Sequence, residues 1–453
     1  MNSSHLLTDE IKSSLRHSHK DGAYYSLMVG AGETYLPVFA LALQMGDVVS
    51  GLMATVPFAI GSFCQLFAGY GVMKLSSRRR WVLLCASIQS LALFAIAALA
   101  LFPVSQPGIL LGLASVYWSA GLAAGPAWNI WIGRLVPPDS RVRFFSMRSL
   151  ITQVTTLIGL IVTGLLLSSV HLDSEKLEMF AGIFFLAGCL RLASLYHLWR
   201  QIELSNPIPL SSLKPKKGEI RRWMKNRQIA LTAVYMFGMA FAVHIASPFF
   251  NPYMIQQLNF EYKTYMMVIG VACVAKIVSY PLLARLAAKF GVASLMIIGL
   301  LGLIPSPLLW IVSDHIAYLC AIQVIGGVAW GSYELGITLV LLENHNDQDR
   351  SRILTMTGFL SAIGMLGGSI LGAQLLKTGL ASKESYHLLF MISSILRFMP
   401  VVLLPYFLGR SIKVGRIFVR VIGVRPGIGA VMKPILYSEE KRKAKIEKKK
   451  ASG

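Results

Sequence analysis

The chain has 453 residues, of which 55% are hydrophobic and only 14% charged. A water-soluble domain carries about 25% charged residues, so this balance excludes a soluble globular protein and points to a chain built for lipid. The formal charge of +22 invites a nucleic-acid partner, but the distribution of the basic residues along the chain argues against one.

The opening stretch MNSSHLLTDEIKSSLRHSHKDG is polar, holds no cleavable signal sequence, and is read as a cytoplasmic N-terminal segment over 1–21. Twelve apolar stretches follow, each near the length of about 20 residues that a membrane helix needs. Six form an N-terminal half, 22–199, at 22–46, 49–74, 80–102, 107–135, 149–170 and 178–199. Six more form a C-terminal half, 228–408, at 228–256, 264–289, 291–313, 315–342, 353–376 and 386–408. The turns around 47, 290 and 314 are very short. Between the halves, 200–227 carries Pro207, Pro209, Pro215 and eight basic residues and reads as a cytoplasmic linker. A basic cytoplasmic tail, 409–453, closes the chain with KRKAKIEKKK.

With the N-terminus in the cytoplasm and the loops alternating, 36 of the 43 Lys and Arg fall on the cytoplasmic side. Four lie outside (Lys176, Lys263, Lys377, Lys383) and three within spans. That asymmetry is the positive-inside rule, and it places both termini in the cytoplasm of an inner or plasma membrane. The basic excess is therefore topological. The tail holds 13 of these charges from Arg410 onward, and each gains about 1 kcal/mol beside anionic lipid headgroups. The five cysteines all fall in predicted spans with no CxxC pair, so neither a disulfide framework, a metal site nor a cofactor is expected. Small residues let helices approach closely in lipid, and GMLGGSILG at 364–372 is the clearest such surface.

The two halves repeat. With an offset of 211, Tyr24, Met28, Pro37 and Phe39 meet Tyr235, Met239, Pro248 and Phe250. Arg141, Arg143 and Met147 meet Arg350, Arg352 and Met356 at 209, and Leu190-Arg191 meets Leu396-Arg397 at 206. The fold class is thus an all-α polytopic membrane protein, twelve transmembrane helices arranged as two six-helix pseudo-repeats with N- and C-termini cytoplasmic.

The segment GPAWNIWIGRLVPPDSRVRFFSMRS (125–149) carries a PAWN-x-W motif followed by P-x-x-x-R-x-R-F. With the repeat, it makes the whole chain resemble the major facilitator superfamily, in particular a bacterial subgroup bearing this motif. Two family signatures are degraded. The loop GYGVMKLSSRRR lacks the usual acid, as does its copy ARLAAKFG, and TLIGLIVTGLLL lacks the antiporter proline. The resemblance implies a central cavity lined by spans 1, 2, 4, 5, 7, 8, 10 and 11, with 3, 6, 9 and 12 peripheral.

Glu33 and Glu334 are the carboxylates inside long apolar stretches, and an ionised group there is costly unless it faces a partner or water. The repeat sets His244 opposite Glu33, so Glu33, Glu334 and His244 are the candidate proton carriers. A structural acid at Glu33, a packing role for His244 and a loop-arginine partner for Glu334 are the bland alternatives. Lys276 is expected to pair with a glutamate or meet an anionic substrate group, unless it snorkels. Trp128, Asn129, Gln65, Gln153 and Asn251 complete the candidate substrate cavity; Trp128, with Trp118 and Trp131, is otherwise packing. Arg191 and Arg397, at matched positions off the cavity, read as scaffolding. Arg134, Arg141, Arg143, Arg350 and Arg352 with Asp139 and Asp349 form two charged clusters read as a cytoplasmic gate, or as positive-inside topology alone.

These residues predict a secondary active transporter that moves a small organic solute by alternating access, coupled to protons and with export favoured over import. Hints toward an anion (Lys276, His244) and a cation (Glu33, Glu334, the tryptophans) cancel. No catalytic motif supports an enzyme, and a monomer is expected. The alternative is a non-transporting sensor or assembly protein acting through the basic tail.

Overall fold

The computed structural model describes residues 2–102, 106–137, 141–170, 173–204, 227–343, 347–379 and 382–404. The tail 409–453 and most of the linker lie outside them. Among the described residues all regular structure is helical. The first half is α1 (Asn2–Ala31), α2 (Gly46–Gln65), α3 (Arg78–Leu101), α4 (Pro107–Leu135), α5 (Arg141–Ser168) and α6 (Asp173–Trp199). The second is α7 (Arg227–Ala246), α8 (Tyr262–Phe290), α9 (Val292–Val312), α10 (Ile316–Glu343), α11 (Asp347–Thr378) and α12 (Lys383–Leu403).

Eleven helices among the described residues, all but α1, are long and apolar enough to cross a membrane. The first span departs from expectation for a local reason. The polar N-terminal stretch is helical from Asn2 and continuous with it, and the apolar part breaks after Ala31 into a 3₁₀ turn, Glu33–Tyr35, before resuming as Leu36–Ala42. Its position is nevertheless that of a span. It packs on α5 and α6 as α7 packs on α11 and α12.

A second break follows α7, where Ser247–Phe249 is a 3₁₀ turn three residues past the matched place. Pro37 and Pro248 account for both, because proline has no N–H to return to the carbonyl four residues earlier. Those carbonyls belong to Glu33 and His244. At Glu33 the 3₁₀ turn recovers the bond, Leu36 N–H donating to Glu33 O.

Glycines set the closest helix crossings. A methyl at Gly30 of α1 would sit 2.1 Å from the Thr156 carbonyl oxygen of α5, and one at Gly368 of α11 would sit 2.2 Å from the Phe241 carbonyl oxygen of α7. The short turn into α9 depends on Gly291, whose φ of +83° a side chain would resist.

The halves meet through α5 with α8 and α2 with α11. On the face away from the linker, one buried apolar cluster runs through both, uniting Tyr35, Phe39 and Phe180 with Phe249, Tyr265 and Phe390. Phe249 lies against Gly51, Thr55 Oγ1 donates to Ser369 Oγ at 2.7 Å, and Tyr386 Oη donates to Asp47 Oδ2 at 2.7 Å. On the linker face each half has its own cluster, around Trp131 and Phe144 in the first and around Met239 and Met296 in the second. The molecule is closed on one face and divided on the other.

Candidate functional site

Where α5 and α8 diverge below the shared cluster, they bound a cavity. Gln153, Thr156 and Leu160 of α5 line one wall; Cys273, Lys276 and Ile277 of α8 line the other. Helical spacing aligns each set, residues three and four apart sharing a face. Lys276 is 8% exposed, and its Nζ lies 2.7 Å from Glu334 Oε1 and 2.6 Å from Oε2 on α10. Tyr280 Oη donates to Oε2 at 3.4 Å. Small residues allow this approach. A methyl at Gly327 of α10 would meet the Ala272 carbonyl oxygen of α8 at 2.4 Å, and one at Gly331 would touch the Lys276 stem at 3.4 Å. Lys276 thus stands at the cavity wall with Glu334 behind it. Across the cavity the Gln153 carbonyl Oε1 is buried with no hydrogen-bond partner among the described residues. An unmet buried acceptor costs about 1–3 kcal/mol, so the first half brings an unfilled polar demand to the site.

Glu33 belongs to a different constellation, inside the first half. It is 7% exposed and accepts from Tyr117 Oη of α4 at 2.7 Å. Gln89 Nε2 of α3 donates to the Tyr117 carbonyl at 3.3 Å and, through Oε1, accepts from Arg191 Nε of α6 at 3.0 Å. Arg191 continues to Ser194 Oγ (2.6 Å), which donates to Asp21 Oδ1 (2.7 Å). Asp21 Oδ2 also pairs with Arg148 of α5 at 3.1 Å, and Arg148 lies 4.5 Å over the Trp128 ring. A chain of buried polar groups thereby connects Glu33 to the linker face through α1, α3, α4 and α6.

His244 sits inside the second half, its Nδ1 2.9 Å from the Ala240 carbonyl oxygen of its own helix. Nearby, Arg397 of α12 donates to the carbonyls of Leu303 and Val243. Asn251 accepts from Tyr265 Oη at 3.3 Å. Gln65 and Asn129 are half-buried on α2 and α4. The structure therefore brings Lys276, Glu334 and Gln153 to one site and sets Glu33 and His244 in the interiors of separate halves.

Of the charged loop groups, Arg134 is half-buried in the last turn of α4. Asp139 and the side chains of Arg141, Arg143, Asp349, Arg350 and Arg352 lie outside the described residues. Sequence reasoning missed Glu203. It leaves the linker to accept from Ser77 Oγ at 2.5 Å and the Arg78 backbone N–H at 2.9 Å, capping α3 together with Ser77. The acid absent from the loop before α3 is supplied from the linker, and only the odd carboxylate in a basic stretch hinted at it.

Two repeated six-helix halves, joined on one face over a small cavity of about 20 Å³, are the architecture of an integral membrane transporter. The chain belongs to the major facilitator superfamily, whose family model matches residues 23–250 and 232–416. Among curated proteins none matches the chain in sequence. A point mutant of the nucleoside transporter NupG superposes with a TM-score of 0.68 at 12% identity over 86% of this chain and 99% of its own. A bacterial homolog to the human lysosomal transporter Spinster, inward-facing and unoccupied, superposes with a TM-score of 0.58 at 15% identity, over 88% of this chain and 96% of its own. These likenesses are of fold. Membership makes the chain a transporter and not an enzyme.

Proposed function

We propose that this protein is a proton-coupled secondary transporter of a small organic solute, with the solute bound in the cavity between α5 and α8. The observation that carries the reading is the ion pair Lys276–Glu334 at the wall of an inter-half cavity. An ion pair is expensive to bury, so its retention where the halves separate argues for use. Protonation of Glu334 discharges the pair and frees the ammonium, which changes the relative free energies of the two access states. Glu33, on its own polar chain to the linker face, is the second proton carrier, and His244 the third titratable group. Positive-inside topology sets the linker face in the cytoplasm, so the form closed on the opposite face is inward-open. Arg134, Arg141, Arg143, Arg350 and Arg352 with Asp139 and Asp349 close that face in the outward-open form, in the membrane that bounds the cytoplasm. Superposition on an inward-facing homolog of Spinster is in keeping with this assignment.

The test compares metabolites of cells and medium for the wild type, Glu334→Gln and Glu33→Gln at matched membrane levels. A solute displaced across the membrane only by the wild type is expected, in the medium for export and in the cells for import. Identical profiles for the wild type and for cells lacking the protein would overturn the reading.

A further inference from the structure

We propose that the transported solute is an organic anion, its acid group held between Lys276 of one half and Gln153 of the other, and that it binds together with the proton. The inference rests on the proposed transport role of this cavity and names the substrate class.

Three observations converge on it. Lys276 is among the residues that line the cavity and Glu334 is not, so a ligand entering there meets the lysine before the glutamate. An ammonium has three donors. Glu334 occupies the side facing α10, leaving donor capacity toward the cavity. Gln153, more than nine-tenths buried on the facing wall, carries an amide whose Oε1 is unpartnered. Its NH₂ can donate to an acid oxygen, and its carbonyl can accept from a hydroxyl or N–H on the same solute. One group from each half on one ligand makes binding sensitive to their separation, as alternating access requires.

The charges dictate the coupling. While Glu334 is ionised it neutralises Lys276, and an incoming anion gains little. Once Glu334 is protonated the ammonium is uncompensated and the anion supplies the missing charge. Proton and anion therefore occupy the site together, and an inward proton gradient drives uptake, opposite to the export favoured by the sequence reading. A cationic solute would meet the ammonium at the wall and be repelled.

A native thiol reports on this charge. Cys273 lines the same wall one helical turn from Lys276, about 5–6 Å along the face. In a variant with Cys64, Cys85, Cys189 and Cys320 replaced by Ala, the modification rates of Cys273 by methanethiosulfonate ethylsulfonate (an anion) and its trimethylammonium counterpart (a cation) are compared, each normalised to free cysteine. The normalised ratio is expected to favour the sulfonate, to reach about tenfold in Glu334→Gln, and to fall below one in Lys276→Gln. In the Glu334-containing protein it should climb toward the Glu334→Gln value on acidification. Gln153→Glu, which leaves the ion pair in place, should reverse the preference and serves if Lys276→Gln does not fold.

A preference for the cation, or a ratio indifferent to Lys276 and Gln153, overturns anion binding. A ratio independent of pH overturns joint binding with the proton, and a thiol inert to both reagents means that no aqueous cavity reaches the site. Because labelling requires no transport, these results stand apart from the metabolite comparison.

Discussion

Removing one member of the Lys276–Glu334 pair should cost far more than removing both. Each residue is 8% exposed, so truncating one leaves the other as an unpaired buried charge, worth about 3–5 kcal/mol of destabilisation. Replacing both by neutral groups of like volume removes the charges together and should be close to neutral. The structure also orders the two single variants. Without Glu334, Lys276 still borders the cavity and can be hydrated; without Lys276, Glu334 is left behind the wall against Tyr280. Lys276→Met should therefore fall at the upper end of that range and Glu334→Gln at or below the lower end. Thermal unfolding of the purified protein in detergent measures this. For a cooperative unit the size of one half, about 2–4 °C per kcal/mol corresponds to a loss of roughly 10–20 °C in Lys276→Met, largely restored in Lys276→Met/Glu334→Gln. Additive losses in the double variant would refute the pairing, and a larger loss in Glu334→Gln than in Lys276→Met would refute the placement of the lysine at the wall.

Gly368→Val forces a side chain against the Phe241 carbonyl and should lower stability by about 1–3 kcal/mol in the same unfolding assay, whereas Gly182→Ala, which meets open space, should leave it unchanged or slightly higher. Tyr386→Phe removes the bond to Asp47 that ties the halves on the closed face. At about 1.5–3 kcal/mol for a bond to a charged group, it should raise labelling of Met254→Cys, buried in the shared cluster, by about tenfold or more with an impermeant maleimide. His17, on the linker-face end of α1, is held below its ordinary value of 6.5 by burial and then by Arg200 and Lys20. A base depressed on folding binds fewer protons in the folded state, so the docking of this segment is intact above about pH 6.5 and weakens as pH falls below it. Tryptic cleavage at Lys12 and Arg16 should accelerate on acidification, and less so in His17→Asn.

Periodicity and hydropathy carry the architecture because each span must bury its backbone polar groups within itself, which makes the signal local. The matched prolines at 37 and 248 even foreshadowed the helix breaks at Glu33–Tyr35 and Ser247–Phe249. The first span was legible as apolar but not as interrupted, since a 3₁₀ turn beside a proline leaves no hydropathy mark. That Lys276 meets a glutamate was legible, but which one was not. Lys276 and Glu334 are 58 residues apart and meet because Gly327 and Gly331 let α10 lie against α8, a relation no one-dimensional pattern states. The rotation of each helix decides whether a polar residue faces the cavity or its own half. Glu33 turns to Tyr117 and His244 lies near Arg397, although the repeat alone set them opposite each other. The capping role of Glu203 escaped for the same reason, its partners being 125 and 126 residues away.

The central claim is that a proton on Glu334 shifts a molecule closed on one face toward closure on the other. Electron–electron distance measurements on two spin-labelled pairs test it directly. Met147 and Phe290, exposed at the linker-face ends of α5 and α8, report one face, and Phe102 and Val312, exposed at the far ends of α3 and α9, report the other. The account predicts two populations whose distances change in opposite senses, the first pair drawing together as the second separates, with their ratio moved by pH in the wild type and moved less in Glu334→Gln. Distances that change in the same sense, or a pH response undiminished in Glu334→Gln, would contradict it.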